Sequence, residues 1–243
     1  MKRFAMKKGK RAVSPGITKS ISKKLARADQ RTLWHPFTQM EEWLASPPLI
    51  IERGKGTWLW DIEGNRYLDG FSSVWVNLHG HRKKELDQAI KNQLKKIAHS
   101  TFLGLSNVPA VLLASRLIEI APKGLTRVFY SDNGATAVEI AIKMAHQFWT
   151  HKGGKYGGKT KIIALHNAYH GDTLGAMSIG GIPLFQDAFR PLYFATYKAP
   201  SPYCYRCPVG LEFPFCKIAC AAPIEEILAA HHSEISAVVL EPG

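Results

Sequence analysis

Apolar residues in this chain recur with two different periods, and the switches between them mark out its elements. Val138, Ile142, Ala145 and Trp149 fall four, three and four apart, which puts them on one face of a helix. Just upstream, Val128, Phe129 and Tyr130 form a short apolar run that reads as a buried strand. Lys161 to Leu165 (KIIAL) reads as a second one. The order strand, helix, strand predicts a parallel pair in a doubly wound sheet with helices on both faces. Glu85 to Ala98 predicts a helix with Leu86, Ile90, Leu94 and Ile97 on one side. Another is predicted from Asn107-Val108-Pro109 to Ile120, with Asn as cap, Pro in the first turn, and Leu113, Leu117 and Ile120 buried.

Before these helices the pattern shortens. LIIERG, GTWLWD and RYLDG are strand-like runs joined by Gly54-Lys55-Gly56 and by Asp61-Ile62-Glu63-Gly64-Asn65, which predicts a small β meander. In FSSVWVNLHGH, Trp75, Asn77, His79 and His81 alternate with Val74, Val76 and Leu78, so an extended run would gather them on one side. LWHPFTQM (Leu33 to Met40) is aromatic-rich and broken by Pro, a segment expected to pack rather than to coil. The fold class expected is α/β: a small N-terminal α+β segment over 28–99, then a mostly parallel large domain over 100–243.

Charge changes this picture at one end only. The formal net charge is +13, but ten of the 32 Lys and Arg residues lie in residues 1–27, where there is no Asp or Glu. The remaining 22 face 19 acidic residues, so the body is nearly neutral. A basic tail of this kind suits a disordered extension, an organelle-targeting peptide, or contact with nucleic acid or a membrane surface. The first is favoured, because the apolar face is poor and lysine outnumbers arginine. Hydrophobic content of 46% fits a globular protein, and no apolar run approaches a membrane span. The cytoplasm is the expected location.

The candidate chemistry sits where elements begin. Ser131-Asp132-Asn133-Gly134 joins the first expected strand to its helix. Ser, Asp and Asn cap helices, and Gly lets a ligand approach the backbone. A helix start presents N–H groups at the positive end of its dipole, which suits a phosphate. Tyr169-His170-Gly171-Asp172 follows the second strand. In doubly wound sheets the ligand crevice lies at the carboxyl ends of the strands, so the two segments should meet there. A phosphate cup beside the Tyr169 ring fits a cofactor with both a phosphate and a flat heteroaromatic ring; pyridoxal phosphate and flavin mononucleotide both qualify. His79 and His81 have no Cys or carboxylate at ligating spacing, so no metal is expected there. Cys204, Cys207, Cys216 and Cys220 stand as C-x2-C-x8-C-x3-C in residues 202–222. They suit an insertion with reduced thiols, or alternatively a zinc or iron–sulfur site.

FYSDNGATAVEIAIKMA and NAYHGDTLGAMS resemble the cofactor signatures of the fold-type I, class III pyridoxal-phosphate aminotransferases. LWHPFTQM, DGFSSVWVNLHGH and VVLEPG resemble, within them, the 7,8-diaminopelargonate synthases of biotin biosynthesis. The resemblance implies pyridoxal 5'-phosphate as cofactor, with Gly134 and Ala135 giving N–H groups to its phosphate, Tyr169 on its ring and Glu241 beside it. It implies that Trp75, Tyr169, Phe37 and Asp172 meet the substrates, 8-amino-7-oxononanoate and S-adenosylmethionine, in a homodimer. Two positions depart from the family: Phe37 stands where a Tyr is usual, and Val74-Trp75 replaces a Trp pair. Both bear on the amino donor, which is lysine in some relatives. The family's pyridinium-pairing Asp and Schiff-base Lys lie beyond the LEPG motif, so the chain is expected to be an inactive N-terminal fragment. The alternatives are another class III ω-aminotransferase, or a metal- and nucleic-acid-binding module built on the tail and the cysteine loop.

Overall fold

A computed structural model describes residues 18–241. Its contacts divide the chain into Met1–Val111 and Leu112–Gly243, a division that falls within a helix. Each unit is described by itself.

The first unit opens with helix α1 (Lys19–Thr32), whose first turn is capped by the Thr18 hydroxyl accepting the Ile21 N–H. The part of the basic extension from Lys19 to Arg27 is thus helical and not disordered; residues 1–17 lie outside the described residues. What the composition hid is the anchor further along. Asp29 accepts the Trp43 indole N–H at 2.9 Å from α2 (Met40–Leu44), and Gln30 donates to the Leu44 and Ser46 carbonyls. The segment between the two helices is not helical and packs through His35, whose ring centroid lies 4.2 Å from that of Trp43 and whose Nε2 is 3.3 Å from Asp29 Oδ1. Trp34 and Phe37 are exposed, and Phe37 takes a positive φ of 49°.

The meander forms as expected, with β1 (Ile51–Lys55), β2 (Trp58–Asp61) and β3 (Arg66–Leu68) in antiparallel order. Its second turn is organised by buried Asp61, which accepts the N–H groups of Glu63 and Asn65, the Asn65 amide and the Tyr67 hydroxyl, each at 2.8–2.9 Å. Then comes α3 (Ser72–Trp75), which is no extended run: its four residues wind in the left-handed sense. The expected alternation of Trp75, Asn77, His79 and His81 along one side is lost there. Helix α4 (Lys84–Leu94) stops four residues short of Ala98.

Helix α5 (Val108–Ile120) begins where the pattern put it, with the Asn107 side chain accepting the Ala110 N–H. The apolar stripes of α4 and α5 are not buried. Leu86, Ile90, Leu94, Leu113 and Ile120 are all exposed. An amphipathic stripe states which face favours burial, not what will cover it.

In the second unit, Val128, Phe129 and Tyr130 join neither sheet, contrary to the strand expected there. An apolar run becomes a strand only where its backbone pairs with a neighbouring strand, and this run is in neither sheet. The sheet instead has β4 (Lys161–Leu165) at its centre, paired in parallel with β5 (Tyr197–Ala199) and β6 (Ile235–Val239). Alternate residues of β4 face opposite layers. Ile162 and Ala164 pack with Ile179 of α7 (Leu174–Ile179) and with Val138 and Ile142 of α6 (Gly134–Lys152). Ile163 and Leu165 pack with Ile224, Ile227 and Leu228 of α9 (Ala222–His231), which follows α8 (Pro183–Gln186) in the chain. Helices on both faces of a parallel sheet are what the α/β reading required. Trp149 fastens α6 to β6 by donating its indole N–H to the Ser236 carbonyl at 2.7 Å. Among the described residues, no helix is long and apolar enough to cross a membrane.

Candidate functional site

The amino end of α6 is a built structure. Asn133 is its cap, accepting the Thr136 N–H at 3.0 Å, while the Thr136 hydroxyl lies 3.2 Å from the Asn133 N–H; together they make a capping box. The Ser131 hydroxyl adds a 2.5 Å contact to Thr136. This satisfies the flanks of the turn and leaves the N–H groups of Gly134 and Ala135 with no acceptor among the described residues. A Cβ placed on Gly134 would meet nothing within 4 Å, so the space before these donors is open. An anion can reach them.

The segment after β4 closes against that turn. A Cβ on Gly171 would stand 2.5 Å from the Ala135 Cβ and 2.8 Å from its Cα, so the two backbones touch where only glycine fits. Gly171 also has φ +122°, a region closed to most side chains. Glu139, one turn along α6 from Ala135, makes a second tie. Its Oε1 accepts the Thr173 hydroxyl at 2.5 Å and the N–H groups of Gly175 and Ala176 at 2.8 and 3.2 Å, capping α7 from the side. The amino ends of α6 and α7 are thereby fixed together.

Tyr169 is held at both ends. Its N–H donates to Glu241 Oε2 at 2.9 Å, two residues past β6, and its hydroxyl donates to Asp172 Oδ2 at 2.8 Å. The hydrogen bond to Asp172 raises the phenol's pKa above the ordinary tyrosine value, because ionisation would set two anions face to face. The ring is partly exposed. His170 beside it is less at ease: its Nε2 is buried without a partner among the described residues, and burial lowers its pKa. These residues could hold a phosphate at the α6 terminus and a flat ring against Tyr169.

The matching family model is that for aminotransferase class-III, over residues 40–243. The chain belongs to the class-III aminotransferases. It is 54% identical over 215 residues to the adenosylmethionine-8-amino-7-oxononanoate aminotransferase of Geobacter sulfurreducens, covering 88% of this chain and 47% of that protein. The enzyme of the same name from Methanocaldococcus jannaschii has a crystal structure that superposes with a TM-score of 0.79 at 49% identity, covering 89% of this chain and 46% of that one. A thermostable ω-transaminase from Thermomicrobium roseum superposes with a TM-score of 0.80 at 34% identity, over 89% and 48% of the two chains. The chain spans about half the length of the curated relatives it matches.

Of the residues singled out from the sequence, Gly134, Ala135, Tyr169, Asp172 and Glu241 gather in the second unit. Phe37 and Trp75 belong to the first, and both side chains are largely exposed. In the cysteine loop all four thiols are free, and among the described residues no group of three His, Cys, Asp or Glu side chains is gathered around one point. Sequence reasoning missed Glu139, and it named His170 and Gly171 within their segment without giving either a role. The first had a signal, since Ala135, Glu139 and Ile142 are four and three residues apart and share a helix face.

Proposed function

We propose that the crevice between the α6 terminus and Tyr169 receives pyridoxal 5'-phosphate. The contact of Gly171 with Ala135 carries this reading, because it brings the start of α6 against the segment that bears Tyr169. The residues fit the coenzyme: open N–H donors for a dianion, a tethered ring for the pyridine, and a buried unpartnered imidazole nearby. The Pseudomonas jessenii ω-transaminase, 29% identical with a TM-score of 0.77, was solved in complex with PMP. When bound, the coenzyme supplies the electron sink for amino-group transfer. Gly134 and Ala135 would bind its phosphate, Glu241 would set the depth of the Tyr169 backbone, and Asp172 would orient the phenol.

The reaction we infer for the whole enzyme is transamination of 8-amino-7-oxononanoate to 7,8-diaminononanoate in biotin biosynthesis. S-adenosylmethionine is the expected donor, with lysine the alternative. Trp75 and Phe37 would border the substrate, and the working unit would be a cytoplasmic homodimer. The contribution proposed for the crevice residues named above is binding and orientation.

The test uses pyridoxine 5'-phosphate, which has no aldehyde and cannot react with surface lysines. Equilibrium dialysis against this chain should show one site, weakened at least about tenfold by Gly134→Val, which fills the space before the donors. Equal binding to wild type and variant would end the proposal.

A further inference from the structure

Ser72, Ser73, Val74 and Trp75 have φ values of 54, 49, 61 and 66°, four consecutive non-glycine residues in the left-handed region. Chains normally enter this region one residue at a time, using Gly, Asn or Asp. A β-branched Val is among the residues least suited to it. Such a conformation persists only where its surroundings over-determine it, and such sites concentrate where side chains must be aimed.

What holds it is a relay of polar contacts within the first unit. The buried carboxylate of Asp69 accepts the Ser73 N–H and the Ser73 hydroxyl, each at 2.8 Å, and lies 2.7 Å from His81 Nε2. His81 is itself fixed to the meander, exchanging both main-chain hydrogen bonds with Gly56 at 3.0 and 2.8 Å. Its ring lies flush against Gly54, where a Cβ would come within 2.6 Å of His81 Cγ. The turn closes with the Trp75 N–H on the Phe71 carbonyl at 2.9 Å and the Val76 N–H on Ser72 at 3.0 Å. Its product is an outward-facing Trp75 with 74% of its surface exposed. Returning the turn to negative φ would swing each Cα–Cβ bond and re-aim the indole.

We propose that Asp69 and His81 are positioning residues, clamping the left-handed turn so that Trp75 is presented in one fixed orientation as a wall of the substrate site. The purpose assigned to the clamp rests on the reading of Trp75 as a substrate contact; the clamp itself does not. Neither residue needs to touch substrate. The Asp69 carboxylate acts through Ser73, the Asp69 carbonyl also accepts the Ser72 N–H at 3.5 Å, and the meander supplies the rigidity.

The experiment replaces the six tryptophans with 5-fluorotryptophan and follows the fluorine spectrum, with Trp75→Phe assigning the signal. In wild type, Trp75 should give one narrow line. Asp69→Asn should split or broaden that line and speed exchange of the Ser73 amide about tenfold, leaving Trp58 and Trp60 of the meander unmoved. Adding Val74→Gly to Asp69→Asn should restore the single line, because glycine enters the left-handed region without penalty. A purely structural aspartate would not be rescued in this way. Should Asp69→Asn fail to fold, Ser73→Ala removes only the hydroxyl contact and should shift the Trp75 line in the same direction by less. An unchanged Trp75 line in these variants, or equal movement of all six lines, would overturn the clamp. A Trp75 line indifferent to added 8-amino-7-oxononanoate, with the clamp results intact, would overturn the substrate-wall reading and leave the clamp standing.

Discussion

Replacing Gly171 with alanine probes the joint on which the candidate site depends. The new methyl would start 2.5 Å from the Ala135 Cβ and 2.8 Å from its Cα, with the Ala176 Cβ at 3.4 Å. Non-bonded carbons favour about 3.5–4.0 Å, so the two backbones must part by roughly 1 Å. Overpacking of this kind costs about 1–3 kcal/mol. The backbone adds about 1–2 kcal/mol, because φ +122° is unsuited to a side chain. The sum is about 2–5 kcal/mol, a large share of the 5–15 kcal/mol that holds a typical domain folded. Urea denaturation followed by circular dichroism measures it, and pyridoxine 5'-phosphate affinity should fall with it as the cup and the ring separate. Gly134→Ala is the control. A methyl there meets nothing within 4 Å, so stability should hold or rise by up to about 1 kcal/mol while ligand affinity still falls. A loss below about 0.5 kcal/mol for Gly171→Ala, or equal losses for both variants, would refute the distinction between the crowded glycine and the open one.

Three further outcomes follow from the geometry. Glu139→Ala should cost about 2–4 kcal/mol in chemical denaturation and speed exchange of the Gly175 amide, since it strips the acceptor from three donors at the start of α7. Lys198 donates to the Gly180 carbonyl from beside a cavity of about 420 Å³, and burial pushes its amine down to about 8, against an unfolded value near 10.4. The fold therefore disfavours its charged form: the destabilisation is full below about pH 8 and lifts as pH rises towards 10.4, so stability gains across that window, and Lys198→Met should flatten the rise in the denaturation midpoint. Asp172→Asn should lower the pKa of Tyr169 towards that of an ordinary phenol in an ultraviolet titration, because the anion that opposes its ionisation is gone.

What the sequence made legible was local or periodic. The KIIAL strand, the capped start of α6, the Asn107 cap and the three-stranded meander all follow from pattern and turn chemistry within a dozen residues. Val128, Phe129 and Tyr130 misled because an apolar run shows appetite for burial but not the pairing that makes it a strand. The α4 and α5 stripes misled for the same reason. The helix at Lys19–Thr32 was masked by a charge count, although Thr18 and the Asp29–Trp43 contact hold its two ends. No propensity could have placed four left-handed residues at Ser72–Trp75, since their cause lies in Asp69 and His81, the latter six positions beyond the turn. Within the candidate site, the residues that face the crevice were readable as motifs. Those that hold it together, Glu139 and Gly171, act across 36 positions of chain and needed coordinates.

A polar accounting of the crevice shows why it suits a phosphate in particular. The capping box uses the Asn133 and Thr136 groups, Glu139 uses the first donors of α7, and Glu241 uses the Tyr169 N–H. Each of these is a contact within the protein, so none is available to a ligand. Among the groups left without a partner in the described residues are the N–H donors of Gly134 and Ala135 at a helix start and the buried His170 Nε2. Donors at the positive end of a 19-residue helix favour a compact anion over a neutral group, and more so where water is displaced. A neutral ring alone would leave those donors unanswered, and a free phosphate would leave the Tyr169 face bare. A ligand carrying both groups satisfies both. Pyridoxine lacking the phosphate should therefore bind far more weakly than pyridoxine 5'-phosphate, and inorganic phosphate should compete with the latter without matching its affinity.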